Sequence, residues 1–191
     1  MSIKSKLLKA TLPLTLFVRT LIDDIKGFAA VEFAMIVPVM IIMLLGSVEV
    51  SEALTVDGRI NIVADSVSDM VARSQTVTAN NLRDLMRISD SLMGKYPTEG
   101  LKVEVVSLVA DPATGVVTVD WSYNSGGSRP YVQGSNYPGV WTGMVSGGNS
   151  LIVAKAKYDY TSPIGQYIHG VIKLSHTASY ESRQGKVVGP P

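Results

Sequence analysis

The residues best suited to chemistry are few and badly spaced for it. His169 and His176 stand seven apart in a segment that reads as a strand, so they point to opposite faces and cannot easily share a metal ion. Asp65 and Asp69 are one helical turn apart, but with no histidine or cysteine beside them they read as a solvated face. Cysteine is absent, which excludes disulfides and thiolate metal sites. The glycine pairs at 126–127 and 147–148 lack a following Lys-Ser/Thr, so neither is a phosphate loop. No serine sits in a Gly-x-Ser-x-Gly elbow. The pattern gives no support to an enzyme, and it calls for no metal or cofactor. Formal charge is +1, which implies no general affinity for nucleic acid.

One carboxylate stands out by its surroundings. Between Lys26 and Glu49 the only charge is Glu32, set in otherwise apolar sequence that includes Phe33-Ala-Met-Ile-Val-Pro-Val-Met-Ile-Ile-Met-Leu-Leu-Gly46. A helix from Phe28 to Val50 rises roughly 35 Å, enough to cross about 30 Å of hydrocarbon. Pro38 is compatible with a membrane helix. A carboxylate at depth in a bilayer costs about 2–3 kcal/mol, less near the interface, so Glu32 needs either a partner or a place beside the positive helix N-terminus. Five basic residues (Lys4, Lys6, Lys9, Arg19 and Lys26) precede Phe28, against Asp23 and Asp24. The rest of the chain is net −2. This asymmetry places the N-terminus in the cytoplasm and the C-terminal part outside it. A shorter apolar run over residues 10–18 fits either a signal-like segment or one lying in the membrane interface.

Residues 27–33 read Gly-Phe-Ala-Ala-Val-Glu-Phe. A glycine before a hydrophobic residue, with glutamate fifth after that glycine, resembles the processing site of type IV prepilins and pseudopilins. The longer string to Val39, with Ala30, Val31, Glu32, Phe33 and then Pro38, resembles the TadE/TadG-like group, TadE/TadF-type pseudopilins of tight-adherence (Flp) pilus machines in particular. Tyr-Asp-Tyr-Thr-Ser-Pro at 158–163 adds a looser likeness. The resemblance implies a leader over residues 1–27, cut between Gly27 and Phe28 by a membrane-embedded prepilin peptidase. It implies that Glu32 pairs with the terminal amine of a neighbouring subunit during assembly. Its expected partners are that peptidase, other pilins and pseudopilins, pilus-assembly proteins and the bacterial inner membrane. Asp23 and Asp24 depart from leaders that are purely basic.

The expected architecture is α+β: a long N-terminal hydrophobic helix, a second helix, then a small antiparallel β-sheet domain. The expected segments are a transmembrane helix over 28–50, an extracytoplasmic pilin-like domain over 51–181 and a flexible tail over 182–191. Val56, Ile60, Val63, Val67 and Met70 or Val71 continue an amphipathic stripe beyond the membrane. It can pack on the chain's own domain or between subunits. A second helix is predicted from Ala79 to Met93, capped by Asn80 or Thr78 and ended by Gly94. Val103, Val105 and Val109 then alternate with polar residues. Asp111–Gly115 makes a turn, and Val117, Val119, Trp121 and Tyr123 are expected to share one face of a second strand. Residues 124–150 form a long loop whose Tyr131, Tyr137 and Trp141 either anchor it or meet a partner. Strands are predicted over Leu151–Tyr160 and Ile168–Tyr180.

Two functional readings follow. The first is a minor pilin or pseudopilin acting in pilus assembly, not an enzyme. The second is a signal-anchored periplasmic binding module with no filament role, in which Gly27 and Glu32 are ordinary juxtamembrane residues.

Overall fold

The structure is a computed structural model. It describes residues 25–140, 143–145, 148–162 and 170–190. The leader before Ile25 therefore lies outside the described residues, as do Trp141, Pro163, Ile168 and His169. Helix α1 (Ile25–Ala72) is followed by α2 (Ala79–Leu92) and strands β1 (Leu101–Ala110), β2 (Val117–Asn124), β3 (Ser150–Thr161) and β4 (Val171–Glu181). The chain divides into two compact units between Glu49 and Val50, and α1 contributes to both. The α+β expectation holds.

In the second unit, the stripe expected on α1 is buried. Val56, Ile60, Val63, Ala64, Val67 and Val71 join one core with Leu82 and Met86 of α2 and with Val103, Val105, Trp121, Ile152, Ala154 and Tyr158 of the sheet. The own-domain reading of the stripe is the observed one. Helix α2 starts on Thr78, whose Oγ1 accepts from the Asn81 amide while Asn81 Oδ1 accepts from the Thr78 amide, a reciprocal cap. Met93 is the C-cap, and Gly94 follows at φ 66°, a conformation that glycine adopts without a Cβ penalty.

The four strands are antiparallel in the order β2-β1-β3-β4. The β1–β2 hairpin turns where the sequence predicts. Asp111 Oδ1 accepts from the Ala113 and Thr114 amides at 2.9 and 2.8 Å, and Gly115 closes the turn at φ 69°. The expectation of one shared face on β2 fails. Ser107 pairs with Trp121 but Leu108 pairs with Val119, so Asp120 is an extra residue in β2. This β-bulge breaks the period of two. Val117 and Val119 fall on the outer face, while Trp121 and Tyr123 enter the helix-side core.

The outer face carries a second cluster of Val106, Leu108, Val117, Val119, Leu151 and Val153. The long loop covers it. Tyr131, Tyr137, Val140 and Met144 pack there, with Tyr131 and Tyr137 edge to face at 5.1 Å. Burial pushes the Tyr137 hydroxyl up to about 12. These two rings anchor the loop. A strap of the same loop also covers the β2 edge, since Val119 and Gly134–Ser135 exchange backbone hydrogen bonds of 2.9 and 2.8 Å.

The tail expected to be flexible is packed as far as Pro190. Val187 is fully buried, its carbonyl accepts from Trp121 Nε1 at 3.0 Å, and Val188 bridges to the Gln75–Val77 backbone. Gly189 lies flat on the indole, where a Cβ would fall 2.2 Å from Trp121 Cγ. Glycine and proline at a chain end resemble fraying in sequence, but here the glycine is what permits the contact.

A polar clasp secures the turn after α2. Glu52 of α1 accepts from the Tyr96 hydroxyl at 2.5 Å and from Lys95 Nζ at 3.0 Å. Arg59 Nη1 donates to the Leu92 carbonyl at 3.3 Å, at the negative end of α2. The Tyr96 hydrogen bond, and then Lys95, hold the Glu52 carboxyl below its ordinary 4.5. The same contacts raise Tyr96 above 10.0 and Lys95 above 10.5, with Glu52 the leading cause for each. A lowered carboxyl contributes stability that is present above 4.5 and lost as pH falls through its folded value. Raised tyrosine and lysine contribute stability that is full below their ordinary values and lost as pH rises through the folded ones. The clasp is therefore whole from about pH 5 to about pH 10. Following tyrosinate absorbance, we expect Glu52→Gln to move one tyrosine's ionisation back down towards 10. An unchanged curve would contradict this assignment.

Candidate functional site at the start of the apolar helix

Unit one presents α1 with its side chains outward. Gly27 and Phe28 lie within α1, and every residue from Gly27 to Ile36 is exposed. Phe28 is 73% exposed and Phe33 65%. The large apolar side chains from Met35 to Leu45 stand outward too, all round the helix rather than on one face. Among the described residues of this unit nothing covers them. A helix apolar on all sides and buried by nothing is suited to lipid or to other helices.

Glu32 is exposed among these side chains, and among the described residues no hydrogen bond or ion pair reaches it. It lies four residues after Phe28, so both occupy one face of α1, a single turn apart. Pro38 is inside the helix, and its missing N–H leaves the Ala34 carbonyl without the usual intrahelical donor.

The position of Gly27 has a mechanistic meaning. A peptidase needs an extended scissile segment. Gly27 lowers the cost of supplying one, because glycine is a poor helix former. The glycine, the aromatic residue and the carboxylate thus form one short unit on an otherwise apolar rod.

The other residues tested for chemistry do not converge. His176 Nε2 lies 2.9 Å from Asp57 Oδ1, linking β4 to α1. Asp69 is paired with Arg73. Among the described residues no group of three metal-ligating side chains comes together. Sequence reasoning missed the Glu52–Lys95–Tyr96 cluster, whose members are more than forty residues apart and share no local pattern.

The TadE-like protein family model matches residues 27–73. The chain carries a TadE-like domain. The match begins on Gly27 and ends one residue past α1, so it covers the apolar rod and the buried stripe together. The sequence resemblance rested on about the first half of this stretch. The match likens this segment, rather than the whole chain, to TadE-like proteins. The helix from Gly27 is long and apolar enough to cross a membrane, consistent with an anchor. No curated protein and no solved structure matches the chain.

Proposed function

We propose that this protein is a minor pilin or pseudopilin that acts in assembly of a tight-adherence (Flp) pilus. Before processing, the Phe28–Val50 segment spans the bacterial inner membrane, with the N-terminus cytoplasmic and the sheet domain periplasmic. Prepilin peptidase cuts between Gly27 and Phe28. The new Phe28 amine and the Glu32 carboxylate then serve as the docking charges between subunits. On assembly the apolar helix exchanges lipid for helix contacts, a transfer that requires no net hydrophobic gain and is directed by packing and polar pairing.

The observation that carries this reading is the TadE-like match opening on Gly27, over an apolar helix of membrane length whose side chains are exposed among the described residues. N-terminal sequencing of protein extracted from membranes tests it. In cells with the peptidase the mature chain should begin at Phe28, and Gly27→Ala should leave the leader attached. A leader retained on the unaltered protein overturns the processing step.

A further inference from the structure

The domain unit has one end with the composition of a membrane interface. The chain enters this unit at Val50, and Glu52 lies roughly 3 Å farther along the helix axis. Lys95 and Tyr96 are held there by Glu52 at 3.0 and 2.5 Å. The neighbouring Pro97 carbonyl accepts from the Tyr158 hydroxyl at 2.9 Å, which brings the end of β3 to the same place. Thr161 and Tyr160 pair in turn with Val171 and Ile172 at the start of β4.

A second alignment gives the same placement. Strand β4 meets α1 at His176–Asp57, and just past its end the Arg183 amide donates to the Ala72 carbonyl at 3.3 Å. The extended chain between those contacts spans roughly 23 Å and the helix roughly 22 Å, so the two run side by side. Continuing down β4 from His176 to Ile172 covers about 13 Å, which reaches the level of Val50. Val171 is 56% exposed and Ile172 48% exposed, with exposed Lys173 next to them.

We propose that this end of the domain rests on the bilayer surface, with Val171, Ile172 and Tyr96 in the phospholipid headgroup layer and Lys95 and Lys173 reaching its phosphates. The inference rests on the reading that the Phe28–Val50 segment spans a membrane. A headgroup layer is about 5–8 Å deep on each side of the hydrocarbon, deeper than the rise from Val50 to Glu52. Tyrosine and lysine favour that layer because each joins an apolar body to a polar tip. Glu52 enters it already paired with Lys95, so it brings no isolated negative charge.

The cysteine-free chain allows single probes. Full-length protein carrying Val171→Cys or Ala113→Cys, the latter on the turn at the far end of β1, is labelled with a fluorophore and reconstituted in phosphatidylethanolamine–phosphatidylglycerol vesicles. Headgroup-spin-labelled lipid should quench the probe at 171 and leave that at 113 bright. With the probe moved to Glu99→Cys, the double change Val171→Asp and Ile172→Asp should reduce quenching. Equal brightness at 171 and 113 overturns the docking alone, provided the protein floats with the vesicles. A probe at 171 shielded from aqueous iodide yet unquenched by lipid means a protein cover, and also overturns it. Failure to float removes the membrane span beneath both readings.

Discussion

Glu32→Val is expected to leave the protein in the membrane and to remove it from the pilus. The substitution deletes the only charge between Lys26 and Glu49. A carboxylate disfavours insertion by about 2.5–3.5 kcal/mol at the bilayer centre and by less near the interface, so valine holds or raises the amount inserted. Assembly responds in the opposite sense. Once α1 leaves lipid for a helix-packed environment, an amine without its carboxylate is a buried unpaired charge, and breaking such a pair costs about 3–5 kcal/mol. That is a factor of more than a hundred in subunit association. Comparing membrane fractions with sheared pili separates the two effects, and Glu32→Gln sharpens the comparison because it keeps hydrogen bonding without charge. Normal piliation with valine would eliminate the docking role, and loss of the protein from the membrane would show that the defect lies in insertion.

The elements that matter for this role were legible in sequence because they are local. An apolar run of membrane length, one carboxylate within it and a glycine five residues before that carboxylate need no tertiary knowledge to be seen. The stripe from Val56 to Val71 was readable for the same reason, since the period of a helix fixes its inward face. What escaped depends on partners distant in sequence. The bulge at Asp120 shifts β2 by one residue and sends Trp121 inward, against a strict alternation that would leave it beside Val119. The placement of β3 between β1 and β4 follows from pairing alone. Gly189 and Pro190 have the composition of a loose end, and only the indole face opposite Gly189 makes them a packed one. The Glu52 clasp joins α1 to a turn beyond α2, and neither segment announces the other.

Trp121 gathers several of these contacts, and Trp121→Ala should be among the most destabilising single changes in the domain. The indole is 8% exposed and belongs to the helix-side core. Its removal leaves a cavity among α1, α2 and the sheet, a class of change that costs about 3–5 kcal/mol. It also removes the donor to the Val187 carbonyl and the surface beneath Gly189. For a domain of this size each kcal/mol corresponds to about 2–4 °C in Tm, so a fall of roughly 6–20 °C is expected in thermal unfolding followed by circular dichroism. Two milder variants divide the effect. Trp121→Phe keeps much of the apolar volume but leaves the Val187 carbonyl unpaired, at about 1–3 kcal/mol. Gly189→Ala retains the whole core and displaces only the C-terminal tail, because its Cβ would overlap the ring. If the tail contributes to stability, Gly189→Ala lowers Tm while Trp121 stays buried at its core edge. If Gly189→Ala unfolds like the unaltered protein, the tail rides on the domain without supporting it, and the loss in Trp121→Ala belongs to the cavity.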